Sequence, residues 1–274
     1  MSATPGELLR KYRLRPKKDW GQNFLGDERF LGRIAATCGI GPGDTVVELG
    51  AGLGHLTRRL AETGARVVAV ERDRDLVAVL EKELALPNVE LVAANAAAVD
   101  FAALSGVERP VVAGNLPYQL SSSILFEVLD QRAHVRRAVF LLQKEVAQRI
   151  ASGPGSRDYG LLSVLLQAYA DVELAFEVPA GVFLPPPKVD SAVVRIDLHE
   201  QPRVQIADHA RFVQLVKAAF AHRRKVLLNT LKSDKSLGGP ERIAAALEAA
   251  GVDPKERAEN LSPAQFAAIE RALG

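Results

Sequence analysis

The stretch Glu48-Leu-Gly-Ala-Gly-Leu-Gly54 decides the fold class of this chain. It begins within an apolar run at residues 45–49, and an amphipathic, helix-like window at residues 56–62 follows it. Glycine adopts positive φ readily and has no Cβ to hold the backbone away from a ligand. A buried strand, a glycine turn and a helix in this order predict a βαβ unit with a ligand site at the turn.

Strand-like apolar runs and helix-like windows alternate as far as about residue 200. The runs are residues 45–49, 66–70, 89–93, 110–113, 138–142, 172–178 and 192–198. The early runs are apolar throughout, as expected where helices cover both faces of a parallel sheet. Beyond them the patterns are helical, at residues 210–231, 239–251 and 262–273. We therefore predict an α/β fold with a Rossmann-like sheet and an N-terminal arm over residues 1–200, and a small all-helical domain over residues 201–274.

The composition indicates an ordinary soluble globular protein. Apolar residues make up 48% and charged residues 25% of the 274 residues, which allows a full core. No apolar run approaches the ~20 residues of a membrane span, and no charged-then-apolar leader opens the chain. Cys38 is the single cysteine, so an internal disulfide is excluded, and the five histidines lack metal-ligand spacing. We expect a cytoplasmic protein with no membrane contact and no metal.

The glycine loop carries signals that separate several cofactor classes. A dinucleotide fingerprint, Gly-x-Gly-x-x-Gly, would place its third glycine at position 55, which is His55. A phosphate-binding P-loop is excluded because no Gly-Lys-Ser/Thr follows. The acidic Glu48 directly before the loop, with Gly50 and Gly52 inside it, favours S-adenosylmethionine.

Glu71 ends the next strand-like run, 17 residues after Gly54. A carboxylate at this place can accept both ribose hydroxyls of a nucleoside cofactor. The other interpretation of the same residue is a charge at a helix N-terminus. The loop and the acid together indicate a nucleotide-type cofactor.

The tetrapeptide Asn115-Leu-Pro-Tyr118 follows the run at residues 110–113, at the sheet edge where ligands bind in open α/β folds. The Asn115 side-chain oxygen and the Leu116 carbonyl can accept both hydrogens of adenine N6 and thereby localise its lone pair. Pro117 fixes its own φ and keeps Leu116 extended, so the two acceptors are set in advance. Tyr118 offers a face for a flipped base. Taken alone, the tetrapeptide is also compatible with an ordinary Asn-x-Pro loop.

The chain resembles a known family, the KsgA (RsmA) type of small-subunit ribosomal RNA adenine N6,N6-dimethyltransferases. The resemblance covers residues 17–270, nearly the whole chain. Beyond the two motifs, it includes Gly21-Gln-Asn-Phe-Leu25, Gln143-Lys-Glu-Val-Ala147, Phe183-Leu-Pro-Pro-Pro-Lys-Val-Asp-Ser191 and Arg257-Ala-Glu-Asn-Leu-Ser262. The number of segments that match in order makes the resemblance specific.

The resemblance implies a class I S-adenosylmethionine-dependent methyltransferase fold and a set of site residues. The residues that it implies for cofactor contact are Asn23, Leu25, Gly50, Glu71, Asn95 and Asn115. It also places the target adenine at Asn115 and Tyr118, with Phe183 as a second stacking face.

The substrate implied by the resemblance is a pair of adjacent adenosines in the 3′-terminal hairpin of 16S rRNA, within an immature 30S subunit. Each adenosine would receive two methyl groups. The basic cluster of Arg223, Arg224 and Lys225 would contact the RNA backbone, although a net charge of +2 does not by itself indicate a nucleic-acid partner. We expect a monomer, because docking onto the subunit requires no second copy.

The chain departs from the family pattern at three places: Asn95, the stretch Gln119-Leu-Ser-Ser122 after Tyr118, and Leu161. Asn95 stands where the family usually has Asp. Its amide oxygen can still accept a hydrogen bond from the adenine amine of the cofactor, but without charge assistance. We therefore expect weaker cofactor binding than in an Asn95→Asp variant.

Two other functions are open at this point. The macrolide-resistance methyltransferases share the fold and modify one adenine of 23S rRNA, but the basic tail and the full-length resemblance favour the 16S substrate. A ribosome-assembly factor that binds RNA without catalysis is a second alternative. The intact tetrapeptide Asn115-Leu-Pro-Tyr118 argues against it, whereas Asn95 leaves room for it.

Overall fold

The computed structural model describes residues 3–222 and 225–274, which form two compact units. The first unit contains the chain up to Ala147 together with Glu173–Leu198, and the second contains Gln148–Val172 together with His199–Gly274. The division after Leu198 lies close to the predicted boundary at residue 200. The segment Gln148–Val172 differs from the prediction, because the sequence pattern places it in the first domain.

Strands and helices alternate in the first unit, and helices dominate the second. The strands are β1 (Phe24–Leu25), β2 (Thr45–Leu49), β3 (Arg66–Glu71), β4 (Val89–Ala93), β5 (Val111–Asn115), β6 (Arg137–Gln143), β7 (Ala170–Val178), β8 (Phe183–Leu184) and β9 (Ser191–Leu198). The α-helices are α1 (Pro5–Lys11), α2 (Glu28–Cys38), α3 (His55–Ala61), α4 (Arg74–Glu83), α5 (Phe101–Ser105), α6 (Ser121–Asp130), α7 (Lys144–Ala151), α8 (Leu161–Tyr169), α9 (His209–Phe220), α10 (Leu227–Leu231), α11 (Pro240–Ala249) and α12 (Pro263–Ala272). Within the described ranges, no helix combines the length and the apolar character needed to cross a membrane.

The described residues form a seven-stranded sheet in the order β4-β3-β2-β5-β6-β9-β7. The neighbouring strands from β4 to β6 in this order run parallel, and β9 runs antiparallel to β6. The predicted α/β fold is confirmed, with a difference in the direction of β9. The residues that lead into β9, 179–190, contain no α-helix, so the chain lacks the crossover that would return it in the parallel direction.

The strand order positions the site. It reverses at β2, since β3 and β4 lie on one side of this strand and β5 and β6 on the other. In open α/β sheets, such a reversal leaves a crevice outside the carboxyl ends of the strands. Strand β2 is buried along its whole length, and its register sets Glu48 beside Ala69 of β3 and Ala113 of β5. The loops that follow β2, β3 and β5 therefore meet at one edge of the sheet.

Packing against the C-terminal helices explains why residues 148–172 belong to the second unit. Helix α8 packs against α9 and α12, and its residues Val164 and Leu166 are fully buried. The ring of Phe220 lies 6.3 Å from that of Tyr159 and 6.0 Å from that of Phe266. An apolar helix of this kind is stabilised mainly by packing, and its partners here are the C-terminal helices.

Two glycines of the first unit provide a matched test of how closely β5 packs against β2. A Cβ at Gly114 would stand 2.5 Å from the Leu49 carbonyl oxygen, whereas one at Gly32, inside α2, would meet nothing within 4 Å. We expect Gly114→Ala to destabilise the protein by about 2 kcal/mol, because backbone cannot move aside as a side chain can. Gly32→Ala should stabilise it by about 0.5–1 kcal/mol through helix propensity. Thermal unfolding followed by circular dichroism measures both, and equal midpoints for the two variants would contradict this packing.

Candidate active site

A cavity opens at the carboxyl ends of β2, β3 and β5. Its wall consists of the loops after these strands, the loop after β4 and part of the N-terminal arm. The predicted site residues that line it are Asn23, Leu25, Gly50, Gly52, Glu71, Asn95, Asn115, Leu116, Pro117 and Tyr118. The structure therefore gathers every predicted site residue of the first unit except Phe183.

The glycine loop lines the cavity in a backbone conformation that residues other than glycine rarely adopt. Gly50 has a φ of 77° and Gly52 a φ of 61°, both in the left-handed region. The amide groups of Gly50 and Ala51 donate to the Val70 carbonyl at 2.9 and 3.0 Å, which ties the loop to β3. The positive φ expected from the sequence is thus present at both glycines, and no Cβ separates this backbone from the cavity.

Glu71, the last residue of β3, is held by three backbone N–H groups. Its Oε2 accepts a hydrogen bond from Gly52 at 2.9 Å, and its Oε1 accepts from Arg72 at 2.8 Å and from Asp73 at 2.9 Å. Burial raises the pKa of this carboxyl, and the three donors oppose the rise. An ionised carboxylate has about four acceptor sites, so further donors such as hydroxyls can still bind.

Glu48 also lines the cavity, but in different surroundings. Its side chain is 1% exposed, and among the described residues its Oε2 has no hydrogen-bond partner. Burial raises the pKa of Glu48 from 4.5 to about 7; the Thr57 hydroxyl opposes this rise, and the negative charge of Glu71 adds to it. The sequence indicates only that Glu48 helps to choose between cofactor classes, because the full burial of this acid shows only in the packed strand.

The Asn115 side chain is oriented by the N-terminal arm. Its Nδ2 donates to the Asn23 carbonyl at 3.0 Å. Because the nitrogen is engaged there, the side-chain oxygen is the group left to accept hydrogen bonds in the cavity. Asn23 is itself fixed, since its own Nδ2 donates to the Gly21 carbonyl at 3.0 Å.

The rest of the tetrapeptide forms a closed turn. The Leu116 amide donates to the Leu141 carbonyl at 3.3 Å, and the Pro117 carbonyl accepts from the Leu120 amide at 2.8 Å. No donor among the described residues reaches the Leu116 carbonyl oxygen. Two acceptor oxygens, from Asn115 and Leu116, are therefore available in consecutive residues.

Tyr118 is fixed at its far end. Its hydroxyl and that of Ser191, the first residue of β9, lie 2.8 Å apart. Burial raises the pKa of the Tyr118 phenol, while the hydrogen bond with Ser191 opposes the rise. The half-buried ring lines the cavity, so it presents an aromatic surface in a defined position.

The N-terminal arm is attached to the loop after β3. The Lys17 Nζ lies 2.6 Å from Asp73 Oδ1, and Gln22 donates to Asp73 Oδ2 at 2.8 Å. The Arg72 guanidinium carbon lies 4.1 Å from the centre of the Trp20 ring. These contacts hold residues 20–25 of the arm, including Asn23, in the cavity wall.

A comparison with protein families shows to which family this chain belongs. The family model described as ribosomal RNA adenine dimethylase matches residues 13–273. The chain belongs to this family. A curated relative from Myxococcus xanthus, named ribosomal RNA small subunit methyltransferase A, is 60% identical over 271 residues, which cover 99% of this chain and 95% of the relative. A relative of the same name from Moorella thermoacetica is 43% identical and covers 99% and 98% of the two chains.

Solved structures show the same fold. A dimethyladenosine transferase from Plasmodium falciparum has a TM-score of 0.78 at 23% identity and covers 90% of this chain and 95% of its own. The 23S rRNA methyltransferase ErmE has a TM-score of 0.70 at 28% identity, with coverages of 92% and 99%. The predicted resemblance to the ribosomal RNA adenine dimethylases and the predicted class I methyltransferase fold are confirmed, and the family makes this chain a methyltransferase.

Phe183, the second stacking face implied by the family resemblance, lies outside the cavity wall. Its side chain is 5% exposed and packs in a core cluster that includes Leu25 and Ile34. The pairing of β8 with β1 sets Phe183 opposite Leu25. A stacking role for Phe183 stays a prediction, and it requires this side chain to leave the cluster.

Asn95 lines the cavity, and its side-chain oxygen accepts a hydrogen bond from the Ala97 amide at 3.3 Å. This bond caps the short turn at Ala96–Ala98. An amide oxygen has a second lone pair, so the expected bond to an adenine amine stays a prediction.

The basic cluster expected to contact RNA is described only in part. Arg223 and Arg224 lie outside the described residues, and Lys225 is exposed, with its amide donating to the His222 carbonyl at 2.9 Å. In the described parts of the chain, no group of three or more His, Cys, Asp or Glu residues is arranged to hold a metal ion.

The buried Glu48 predicts an unusual dependence of stability on pH. The unfolded chain loses this proton near pH 4.5 and the folded chain near pH 7, so stability falls as pH rises through this window and stays lowered above it. Glu48→Gln removes the ionisable proton. We expect the stability of this variant relative to wild type to increase by up to about 3 kcal/mol between pH 4 and pH 8.

Thermal unfolding of both proteins across this pH range measures the effect. Glu81→Gln, at an exposed position on α4, is the control and should follow wild type at every pH. A constant difference between Glu48→Gln and wild type would show that Glu48 ionises in the folded protein as it does in the unfolded chain.

Proposed function

We propose that this protein transfers methyl groups from S-adenosylmethionine to N6 of two adjacent adenosines in the 3′-terminal hairpin of 16S rRNA, two on each. It acts as a monomer on the immature 30S subunit in the cytoplasm. The observation that carries the proposal is the Asn115 carboxamide, whose nitrogen is engaged by the Asn23 carbonyl and whose oxygen is left for an amine. The name of the Myxococcus xanthus relative, a small-subunit methyltransferase, supports the choice of ribosomal RNA.

The residues of the cavity fit S-adenosylmethionine. Gly50 and Gly52 leave backbone open to a ligand, and Glu71 retains acceptor capacity for a ribose hydroxyl. When bound, this cofactor supplies a methyl group on a positively charged sulfur, which is a good leaving group. The task of the protein is then to bring a nitrogen lone pair into line with that methyl group.

The turn at Asn115 supplies this alignment. The lone pair of adenine N6 is delocalised into the ring, which makes the amine a poor nucleophile. The oxygens of Asn115 and Leu116 accept its two hydrogens and draw the nitrogen towards tetrahedral geometry, which directs the lone pair at the methyl group. The amine becomes acidic only as the new bond forms, so water can take the proton.

The second transfer to each adenosine places a further demand on this turn. N6-methyladenine has one hydrogen left on its amine, so only one of the two oxygens can hold it at a time. The Tyr118 ring, which is held by the contact of its hydroxyl with Ser191, then contributes relatively more to positioning the base. Base stacking is independent of the number of amine hydrogens. The basic cluster of Arg223, Arg224 and Lys225 contacts the RNA backbone in this proposal.

Methyl mapping tests the function. Wild-type protein is incubated with labelled cofactor and either undermethylated 30S particles or protein-free 23S RNA, and labelled adenines are identified by mass spectrometry. We expect label at the two adjacent adenosines of 16S rRNA and a loss of at least about 100-fold in rate for Asn115→Ala. Ser122→Ala, at an exposed position of α6 nearby, is the control and should retain the wild-type rate. Label in 23S RNA alone, or full activity of Asn115→Ala, would overturn the proposal.

Binding of the cofactor can be followed without any reaction. Trp20 is the single tryptophan of the chain, it is 36% exposed, and it lines the cavity beside Arg72. We expect its fluorescence to change on addition of S-adenosylmethionine, because the ligand replaces water next to the indole ring. Trp20→Phe should lose the signal but retain the heat of binding in calorimetry. A protein that gives neither signal nor heat would be the RNA-binding assembly factor instead.

A further inference from the structure

The N-terminal arm carries the excess positive charge of the chain. Residues 1–22 contain six of the 35 Lys and Arg residues and two of the 33 Asp and Glu residues, so their net charge is +4. Since the whole chain has a net charge of +2, the residues after the arm together carry −2. Attraction of a charged partner depends on where charges lie, and here they are concentrated in one segment.

Two cations of the arm attach it to the rest of the first unit. Lys11 pairs with Glu83 of α4, and the Lys17 Nζ lies 2.6 Å from Asp73 Oδ1. Leu8 of α1 is buried in a core cluster with side chains of the glycine loop and of α4. These contacts fix the path of the arm along the surface of this unit.

Four other cations of the arm are exposed, and they form what we call the basic strip. The strip consists of Arg10, Arg13, Arg15 and Lys18. Within the described ranges, no ion pair or cation–π contact includes any of the four. After α1, Arg13 and Arg15 are exposed while the residues at positions 14 and 16 are half-buried, an alternation typical of extended backbone with one face on the protein. The charges of the strip are therefore available to a partner.

Arg13 has a backbone conformation that favours glycine. Its φ is 56°, and no other non-glycine residue in the described part of the chain has a positive φ. The Arg13 amide donates to the Arg10 carbonyl at 3.1 Å and the Leu14 amide to the Leu9 carbonyl at 2.9 Å, which is the Schellman arrangement at the end of α1. After α2, the residue in this conformation is Gly39, with a φ of 57°. An arginine here strains the backbone, and strain that glycine would relieve indicates a use for the side chain.

The basic strip adjoins the cavity at one end and β8 at the other. Lys18 shares a turn of 3-10 helix with Trp20, which lines the cavity. A Cβ at Gly6 would lie 3.6 Å from Arg10 Nη1 and 3.3 Å from Cδ2 of Leu184, the last residue of β8. The strip thus runs beside the region where the proposed reaction needs the target base.

We propose that the basic strip binds the phosphodiester backbone of the RNA next to the target adenosine. This inference rests on the proposed function, and it adds a second surface to the cluster of Arg223, Arg224 and Lys225. A nucleotide that enters the cavity brings its own phosphate and those of its neighbours to the rim. Cations that the protein leaves unpaired neutralise these phosphates and release the counterions condensed on them. The family match begins at Arg13, so it does not include α1 and Arg10.

A phosphate backbone fits the basic strip better than an acidic protein surface does. Three of the four cations are arginines, whose planar guanidinium groups bind phosphate oxygens in pairs. Protein interfaces have an apolar core inside a polar rim. The residues at positions 14 and 16, which alternate with the cations, are half-buried against the first unit and offer little of such a core.

Arg13→Gly separates phosphate binding from a structural role. Glycine relieves the backbone strain, so we expect the thermal midpoint of this variant to rise. Loss of one phosphate contact should at the same time weaken binding to undermethylated 30S particles by about fivefold at about 0.1 M salt. The slope of the logarithm of the binding constant against the logarithm of salt concentration should fall in magnitude by about 0.8. A residue with a structural role alone would change the midpoint and leave this slope unaltered.

A triple variant enlarges the effect. Arg13→Gly with Arg15→Gln and Lys18→Gln should reduce the magnitude of the salt slope by about 2–3 and weaken binding by about 100-fold. Its dissociation constant for S-adenosylmethionine should equal that of wild type in calorimetry, because Lys17 still attaches the arm. Arg136→Gln is the control. It removes one positive charge from the opposite edge of the sheet, where Arg136 pairs with Asp44, and it should bind 30S particles as wild type does.

Protein-free 16S rRNA identifies the partner, and the variants should lose affinity for it by the same factors as for 30S particles. Loss of affinity for 30S particles alone would assign the strip to a ribosomal protein. An unchanged salt slope, or weaker binding of S-adenosylmethionine in parallel, would make the strip a structural part of the arm. Each of these results overturns the inference. Wild-type protein that binds 16S rRNA through the strip and methylates no adenosine in it would instead overturn the proposed function and leave this contact intact.

Discussion

The orientation of one side-chain amide governs what this site can do. The Asn115 nitrogen donates to the Asn23 carbonyl, and the oxygen is thereby presented to the cavity. Rotation of the amide by half a turn would present N–H groups to the hydrogens of an incoming amine, which repel one another. The strand order, the turn at Asn115 and the proposed reaction all depend on this hydrogen bond.

The two acids of the cavity show how neighbouring strands create different chemistry. Glu71 receives three backbone N–H groups and is satisfied by the protein, whereas Glu48 lies within a strand whose own amides are used in the sheet. The first acid is held by the backbone, whereas the second is buried with a raised pKa.

The motifs of the chain predict the residues whose role depends on backbone conformation. Gly50 and Gly52 adopt positive φ, and Asn115 stands at a strand end, because these properties follow from local sequence. Residues 148–172 belong to a different unit from the one that their sequence pattern indicates, because assignment to a unit depends on partners far away in the chain. Burial of Phe183 in a core cluster depends on distant partners in the same way. The burial of Glu48 has the same origin, since it follows only when β3 and β5 are placed beside β2.

The partner of Asn115 belongs to the N-terminal arm and not to the sheet. The arm is itself attached through Lys17 and Gln22 to Asp73, a side chain that is 2% exposed at the start of α4. The segment that covers the cavity is thus also the segment that orients the reactive amide. If this segment moved away from the cavity, Asn115 would lose the Asn23 carbonyl that orients its amide. Coverage of the cavity and orientation of the Asn115 amide therefore depend on the same segment of the chain.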